Sequence, residues 1–139
     1  MCSIARTSIV WASESRTSTA GQPSLRWRRC AWPLQDNPIV FRQTNSEEQL
    51  INWVHEAIDD DAGIIIDPAA FTFTSLALLD ALKMFEGPVI EFHISNIHRR
   101  EPIYHRSYVS MRADVVMAGL GAKGYATAVA AMLELVTGR

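Results

Sequence analysis

The chain has 139 residues, 48% of them hydrophobic, which is enough for one compact domain with a buried core. No apolar run approaches the length of a membrane span, and two cysteines, Cys2 and Cys30, are too few for a disulfide framework, so a reducing cytoplasm is the expectation. The net charge of −2 hides two unlike pieces: residues 1–35 carry five Arg against the single acid Glu14, and residues 36–139 carry the other eight basic and fourteen acidic residues. That acidic body argues against nucleic acid as a partner, because phosphate binding needs clustered positive charge.

Residues 1–35 are rich in Ser and Arg and hold three of the four Trp. No strand or amphipathic helix stands out there, and the segment is expected to be aberrant and poorly ordered. From Pro38 onward strands and helices alternate. Ile39-Val-Phe41 reads as a short strand. Asn45 and Glu48 have the spacing of a capping box, and Leu50, Ile51, Val54 and Ile58 follow at helical spacing, which predicts a helix over 46–59. Asp59-Asp60-Asp61 reads as a solvated helix end rather than a metal site. Gly63-Ile-Ile-Ile66 reads as a buried strand of parallel type, stopped by Pro68. Thr74 to Phe85 is helical and ends at Gly87-Pro88. Val89 to Phe92 and Val115 to Ala118 are strands, and Ala122 to Val136 is the closing helix. This alternation predicts an α/β domain over 36–139, a parallel sheet with helices on both faces.

Gly119-x-Gly121-x-x-Gly124 follows a strand and has the form of a dinucleotide fingerprint. That fingerprint needs a further strand with an acid about twenty residues on, and the sequence stops at Arg139. A local turn and close helix packing explain these glycines better.

The strand at Val89–Phe92 delivers Glu91, His93, Ser95, Asn96 and His98 to its carboxyl end, where open α/β sheets bind ligands. Glu91 and His93 are two residues apart and so share one face of the strand. A carboxylate there can orient an imidazole or hold its proton, which suits acid–base chemistry.

Residues 91–102, Glu-Phe-His-Ile-Ser-Asn-Ile-His-Arg-Arg-Glu-Pro, resemble the E-[VF]-H-[IL]-S-N-[VI]-H-x-R-E signature of type II 3-dehydroquinate dehydratases. Phe41-Arg-Gln-Thr-Asn45, Ile65-Ile-Asp-Pro-Ala-Ala-Phe-Thr-Phe-Thr-Ser75 and Gly119-Leu-Gly-Ala-Lys-Gly-Tyr125 agree as well, so the resemblance runs from about Ile39 to Val136. It implies a flavodoxin-like three-layer sandwich whose first strand is disrupted in this chain. It implies conversion of 3-dehydroquinate to 3-dehydroshikimate and water, on the shikimate or quinate route, with no metal or organic cofactor. It also implies a homo-oligomer in which trimers assemble into a dodecamer.

In that family a loop Tyr, made basic by a nearby Arg, removes a proton next to the ketone. A water held by an Asn stabilises the enolate, and a His protonates the departing hydroxyl. By resemblance His93 is that acid and Glu91 its partner. Ile94 and Ser95 offer backbone amides and a hydroxyl to the substrate carboxylate, Arg100 is the Arg beside the tyrosinate, and Asp80 reaches a neighbouring subunit's site. Three positions depart from the pattern: Asp67 stands where Asn is expected, Phe73 replaces a substrate-binding His, and Tyr104 replaces a substrate-binding Arg. The loop Tyr is missing, and Tyr104, Tyr108 and Tyr125 are not placed to substitute for it. These departures keep open a second reading, a non-catalytic paralogue or pseudogene product that retains carboxylate binding or subunit contacts.

The family's first strand and its N-G-P-N-L-N-x-L-G-x-R-E-P-x-x-Y-G loop belong where residues 1–35 stand. Regrouping the codons of residues 5–31 by one base permits P-N-L-N-R-L-G-V-R-E-P-D-V-Y-G-R-T-T-L-A-E-V-E-A-L-C. Trp11-Ala12 must give Gly, since Trp has a single codon, while Ile4-Ala5 cannot give the Gly of N-G-P-N. Residues 1–35 therefore read as an out-of-frame translation of such a start, with the frame restored between Leu34 and Ile39. A transit peptide, the rival for an Arg/Ser-rich and acid-poor segment, would not also encode the missing motif. Loss of the first strand predicts a marginal or aggregating product unless an unrelated piece of the first 35 residues fills the gap.

Overall fold

The computed structural model describes residues 7–12, 39–59 and 63–137. Its elements in chain order are β1 (Thr7–Ala12), β2 (Ile39–Thr44), α1 (Glu47–Asp59), β3 (Gly63–Asp67), α2 (Phe71–Thr74), α3 (Leu76–Met84), β4 (Val89–His93), β5 (Val115–Ala118) and α4 (Gly124–Thr137). Short 3-10 turns at Ile97–Arg99, Pro102–Tyr104 and Val109–Met111 lie between β4 and β5.

All of β3 and β4 is buried, as befits strands covered on both faces. Their alternation builds two cores. Ile64 and Ile66 join Leu50 and Val54 of α1 and Leu78 and Leu82 of α3. Ile65, Ile90 and Phe92 meet Ala128, Val129 and Met132 of α4 on the other side. The result is helix, sheet and helix in three layers. The strand order is β2-β1-β3-β4-β5, the flavodoxin-like order.

The β3–β4–β5 part of the sheet is parallel. The expectation fails at β1. Thr7–Ala12 is a strand in a segment where none stood out, and it runs antiparallel to both neighbours, with Val10 opposite Phe41 on one side and Ile65 on the other. The sheet is mixed rather than wholly parallel. An interior strand must supply amides and carbonyls to both edges, and antiparallel pairing meets that need as well as parallel pairing does. Ile9, Val10 and Trp11 are the β-branched and aromatic types that suit such a position. A piece of the N-terminal segment therefore fills the gap in reverse. Apart from β1, the expected disorder of residues 1–35 falls outside the described residues, as do Cys2, Cys30, Asp60 and Asp61.

Two helix starts also differ. The cap of α1 is Ser46 rather than Asn45, its hydroxyl accepting from the Gln49 amide at 3.3 Å. The helix expected over 74–85 is split, because Ser75 ends α2 and caps α3, its hydroxyl accepting from the Leu78 amide at 2.8 Å. The Gly119–Gly124 turn serves packing: a Cβ on Gly124 would lie 2.7 Å from the Phe92 ring, and Gly119 adopts φ +85°. Among the described residues no helix is long and apolar enough to cross a membrane.

Candidate active site

The carboxyl ends of β3 and β4 meet the α2 turn and the loop that follows β4. Glu91 and His93 project from one face of β4 and are almost fully buried, at 0% and 3% exposure. The His93 Nε2 lies 2.8 Å from Glu91 Oε1. The same oxygen accepts the hydroxyls of Thr72 and Ser107, each at 2.7 Å. The Ser110 hydroxyl donates to Glu91 Oε2. Burial alone would raise the Glu91 carboxyl. The bonds from His93, Ser110, Ser107 and Thr72 together outweigh it and hold the group below its ordinary value, so it is a carboxylate at neutral pH.

Thr72 reaches Glu91 because of the turn after β3. Asp67 ends β3, and its Oδ1 accepts from the Ala69 amide at 3.2 Å, an Asx turn. Ala69 takes the left-handed φ of +47° there, and α2 begins with the Phe71 amide on the Pro68 carbonyl. The Tyr108 amide donates to the Thr72 carbonyl at 2.8 Å, which ties the Ser107 loop to α2.

Asp67 is 6% exposed and takes a long contact, 3.4 Å, from the Tyr125 hydroxyl of α4. Burial pushes its carboxyl above the ordinary range, against the lowering pull of the Ala69 amide, His93, the Ile94 amide and Tyr125. The raised pKa shifts this group toward the protonated form, which can donate a hydrogen bond as an amide does.

One side of His93 is aromatic. Phe73 stacks near the imidazole, with centroids 6.2 Å apart and an angle of 14°. Tyr104 meets Phe73 edge to face at 5.3 Å, and the Arg100 guanidinium lies 3.7 Å from the Tyr104 ring. Ile94 and Ser95 follow His93 on an exposed turn, held by the Gly119 amide on the His93 carbonyl and the Gly121 amide on the Ile94 carbonyl.

The structure thus gathers Glu91, His93, Asp67, Phe73, Tyr104 and Arg100 around one end of the sheet, with Ile94 and Ser95 adjoining. Asp80 does not join them; it is exposed on α3. Sequence reasoning missed Thr72, Ser107, Ser110 and Tyr125. Only the i, i+3 spacing of Ser107 and Ser110 hinted at a shared direction. Among the described residues, no group of three or more His, Cys, Asp or Glu could hold a metal ion.

The model of the family "Dehydroquinase class II" matches residues 29–133. The chain belongs to this family. A 97-residue segment, 70% of the chain, is 57% identical to "3-dehydroquinate dehydratase 2" of Agrobacterium fabrum and spans 66% of that protein. A 113-residue segment, 80% of the chain, is 51% identical to "3-dehydroquinate dehydratase" of Cereibacter sphaeroides and spans 77% of it. The crystal structure of type II dehydroquinase from Propionibacterium acnes matches with a TM-score of 0.63 at 45% identity, over 66% of this chain and 63% of that one. That from Butyrivibrio crossotus gives 0.62 at 35% identity, over 65% and 63%. The dehydroquinase resemblance thus spans about two thirds of most of these relatives' length.

Proposed function

We propose that this dehydroquinase site performs the dehydration of 3-dehydroquinate to 3-dehydroshikimate and water, at a rate far below that of an intact family member. The observation that carries this reading is the buried Glu91–His93 pair at the carboxyl end of β4. In the reaction a water molecule, in place of the absent loop Tyr, takes a proton from the carbon next to the ketone and an enolate forms. His93 then protonates the departing hydroxyl, so one C–H and one C–O bond break and water leaves. The substrate ketone stabilises the carbanion, so the chemistry calls for no metal or organic cofactor. Glu91 orients the imidazole. The amides of Ile94 and Ser95, with the Ser95 hydroxyl, hold the substrate carboxylate. Arg100 lies along the aromatic wall with Phe73 and Tyr104, and Asp67 occupies the family's Asn position.

The rate is low because the proton-abstracting Tyr is absent: the three tyrosines are Tyr104, Tyr108 and Tyr125, and none lies in residues 1–35. A shifted reading frame over that segment accounts for the loss. Assembly into trimers and a dodecamer, with Asp80 reaching a neighbour's site, and a cytoplasmic location complete the proposal. A second reading, a non-catalytic relative that binds carboxylates, is favoured by Asp67, Phe73 and Tyr104, which stand where the family's water-holding Asn and its substrate-binding His and Arg are expected.

Turnover of 3-dehydroquinate, followed by the ultraviolet absorbance of the conjugated enone product, separates the two. Slow turnover abolished by His93→Ala supports the dehydratase. No turnover, with 3-dehydroquinate still perturbing the Ser95 amide signal, supports the second reading.

A further inference from the structure

Around Glu91 the arrangement of hydroxyl donors bears on where the histidine proton sits. The carboxylate can only accept. Thr72 and Ser107 donate to Oε1, Ser110 donates to Oε2, and each of these hydroxyls has one hydrogen to give. Ser107 Oγ also accepts the Ser110 amide at 2.9 Å, and its 3.3 Å contact with Thr72 Oγ1 carries no hydrogen when both hydroxyls donate to Glu91. The remaining contact, His93 Nε2 at 2.8 Å from Oε1, is a hydrogen bond to an ionised carboxylate only if Nε2 carries the proton. No buried side-chain nitrogen or oxygen among the described residues lacks a partner.

We propose that Thr72, Ser107 and Ser110 are positioning residues: their hydroxyls fix Glu91 so that it holds the proton on His93 Nε2 and leaves Nδ1 as the nitrogen that exchanges protons with substrate. The three come from separate elements, α2, the loop before the last 3-10 turn, and that turn itself. Together they set both carboxylate oxygens and leave Glu91 no freedom to rotate away from the ring. Loss of one hydroxyl loosens the carboxylate and lengthens the Nε2–H bond without touching His93. That Nδ1 is the acid in turnover rests on the dehydratase reading; the position of the proton does not.

The test uses the full chain labelled with ¹⁵N, with the histidine ring read by proton–nitrogen NMR at a pH where the imidazole is neutral. In the wild type the His93 proton is expected on Nε2, downfield of an ordinary imidazole N–H and slow to exchange with water. Thr72→Val, which keeps the shape and removes the hydroxyl, moves this signal upfield and speeds its exchange at least tenfold, while Thr72→Ser restores both. Should Thr72→Val fail to fold, Ser110→Ala, at an exposed position, reads the same effect. A proton on Nδ1 in the wild type, or unchanged shift and exchange in both Thr72→Val and Ser110→Ala, overturns the proposal. Absence of turnover with the Nε2 proton in place would overturn the dehydratase reading alone.

Discussion

Replacing Glu91 by Gln keeps the size of the side chain and removes its charge. Glu91 is fully buried and accepts four hydrogen bonds, from Thr72, Ser107, His93 and Ser110. Hydrogen bonds to a charged group contribute roughly 1 kcal/mol more than neutral ones, so the four together lose about 4 kcal/mol. Gln escapes the desolvation cost of a buried charge, which returns part of that sum. A net loss of about 2 kcal/mol remains, or roughly 6–10 °C in Tm for a domain of this size.

The pH dependence carries the sharper test. The folded pKa of Glu91 lies below its ordinary value of 4.5. The stability it contributes is therefore fully present above that value and is lost as pH falls through the folded pKa. Thermal melts of wild type and Glu91→Gln should differ most at neutral pH and converge below pH 4.5. Equal stability at pH 7, or a gap that does not shrink on acidification, would show that the Glu91 charge does not stabilise the fold.

Asp67 has the opposite sign: burial raises its folded pKa, so its ionisation destabilises the fold as pH rises above 3.8. Asp67→Asn should raise stability at pH 7 by about 0.5–2 kcal/mol, with no gain in melts below pH 3.8. Gly124→Ala should cost about 1–3 kcal/mol in denaturant unfolding, since the new Cβ meets the Phe92 ring at 2.7 Å. Ser75→Ala should cost about 1 kcal/mol by the same assay through loss of the α3 cap. Val10→Pro should abolish cooperative melting, because a proline in an interior strand removes a ladder bond and is tolerated only at sheet edges or bulges.

The Glu91–His93 pair was legible because period two on a strand puts alternate residues on one face, and a short apolar run marks the strand. The parallel strands were legible as short apolar runs, and α4 as a run rich in Ala, Leu and Met. The hydroxyls were not: Thr72 lies 19 residues before Glu91 and Ser110 lies 19 after it, so only the folded chain brings them together. Tyr125 and Asp67, 58 residues apart, meet in the same way. The α1 cap slipped by one position because Asn45 and Ser46 are both good caps, and Ser46 pairs with the amide of Gln49. β1 escaped notice because its six residues sit in a Ser- and Arg-rich segment, and only the gap between β2 and β3 gives Thr7–Ala12 partners.

The proposed dehydratase requires that the body of the chain keep a working acid site and that the missing loop Tyr alone limit it. The most direct measurement compares turnover of 3-dehydroquinate by this chain with that of a chain whose residues 1–35 are replaced by a family-type first strand followed by the shifted-frame loop ending in L-A-E-V-E-A-L-C. The expected gain is on the order of 10²–10⁴, the usual contribution of a positioned base, abolished again by His93→Ala. A repaired chain that is folded but no faster than the original would contradict it.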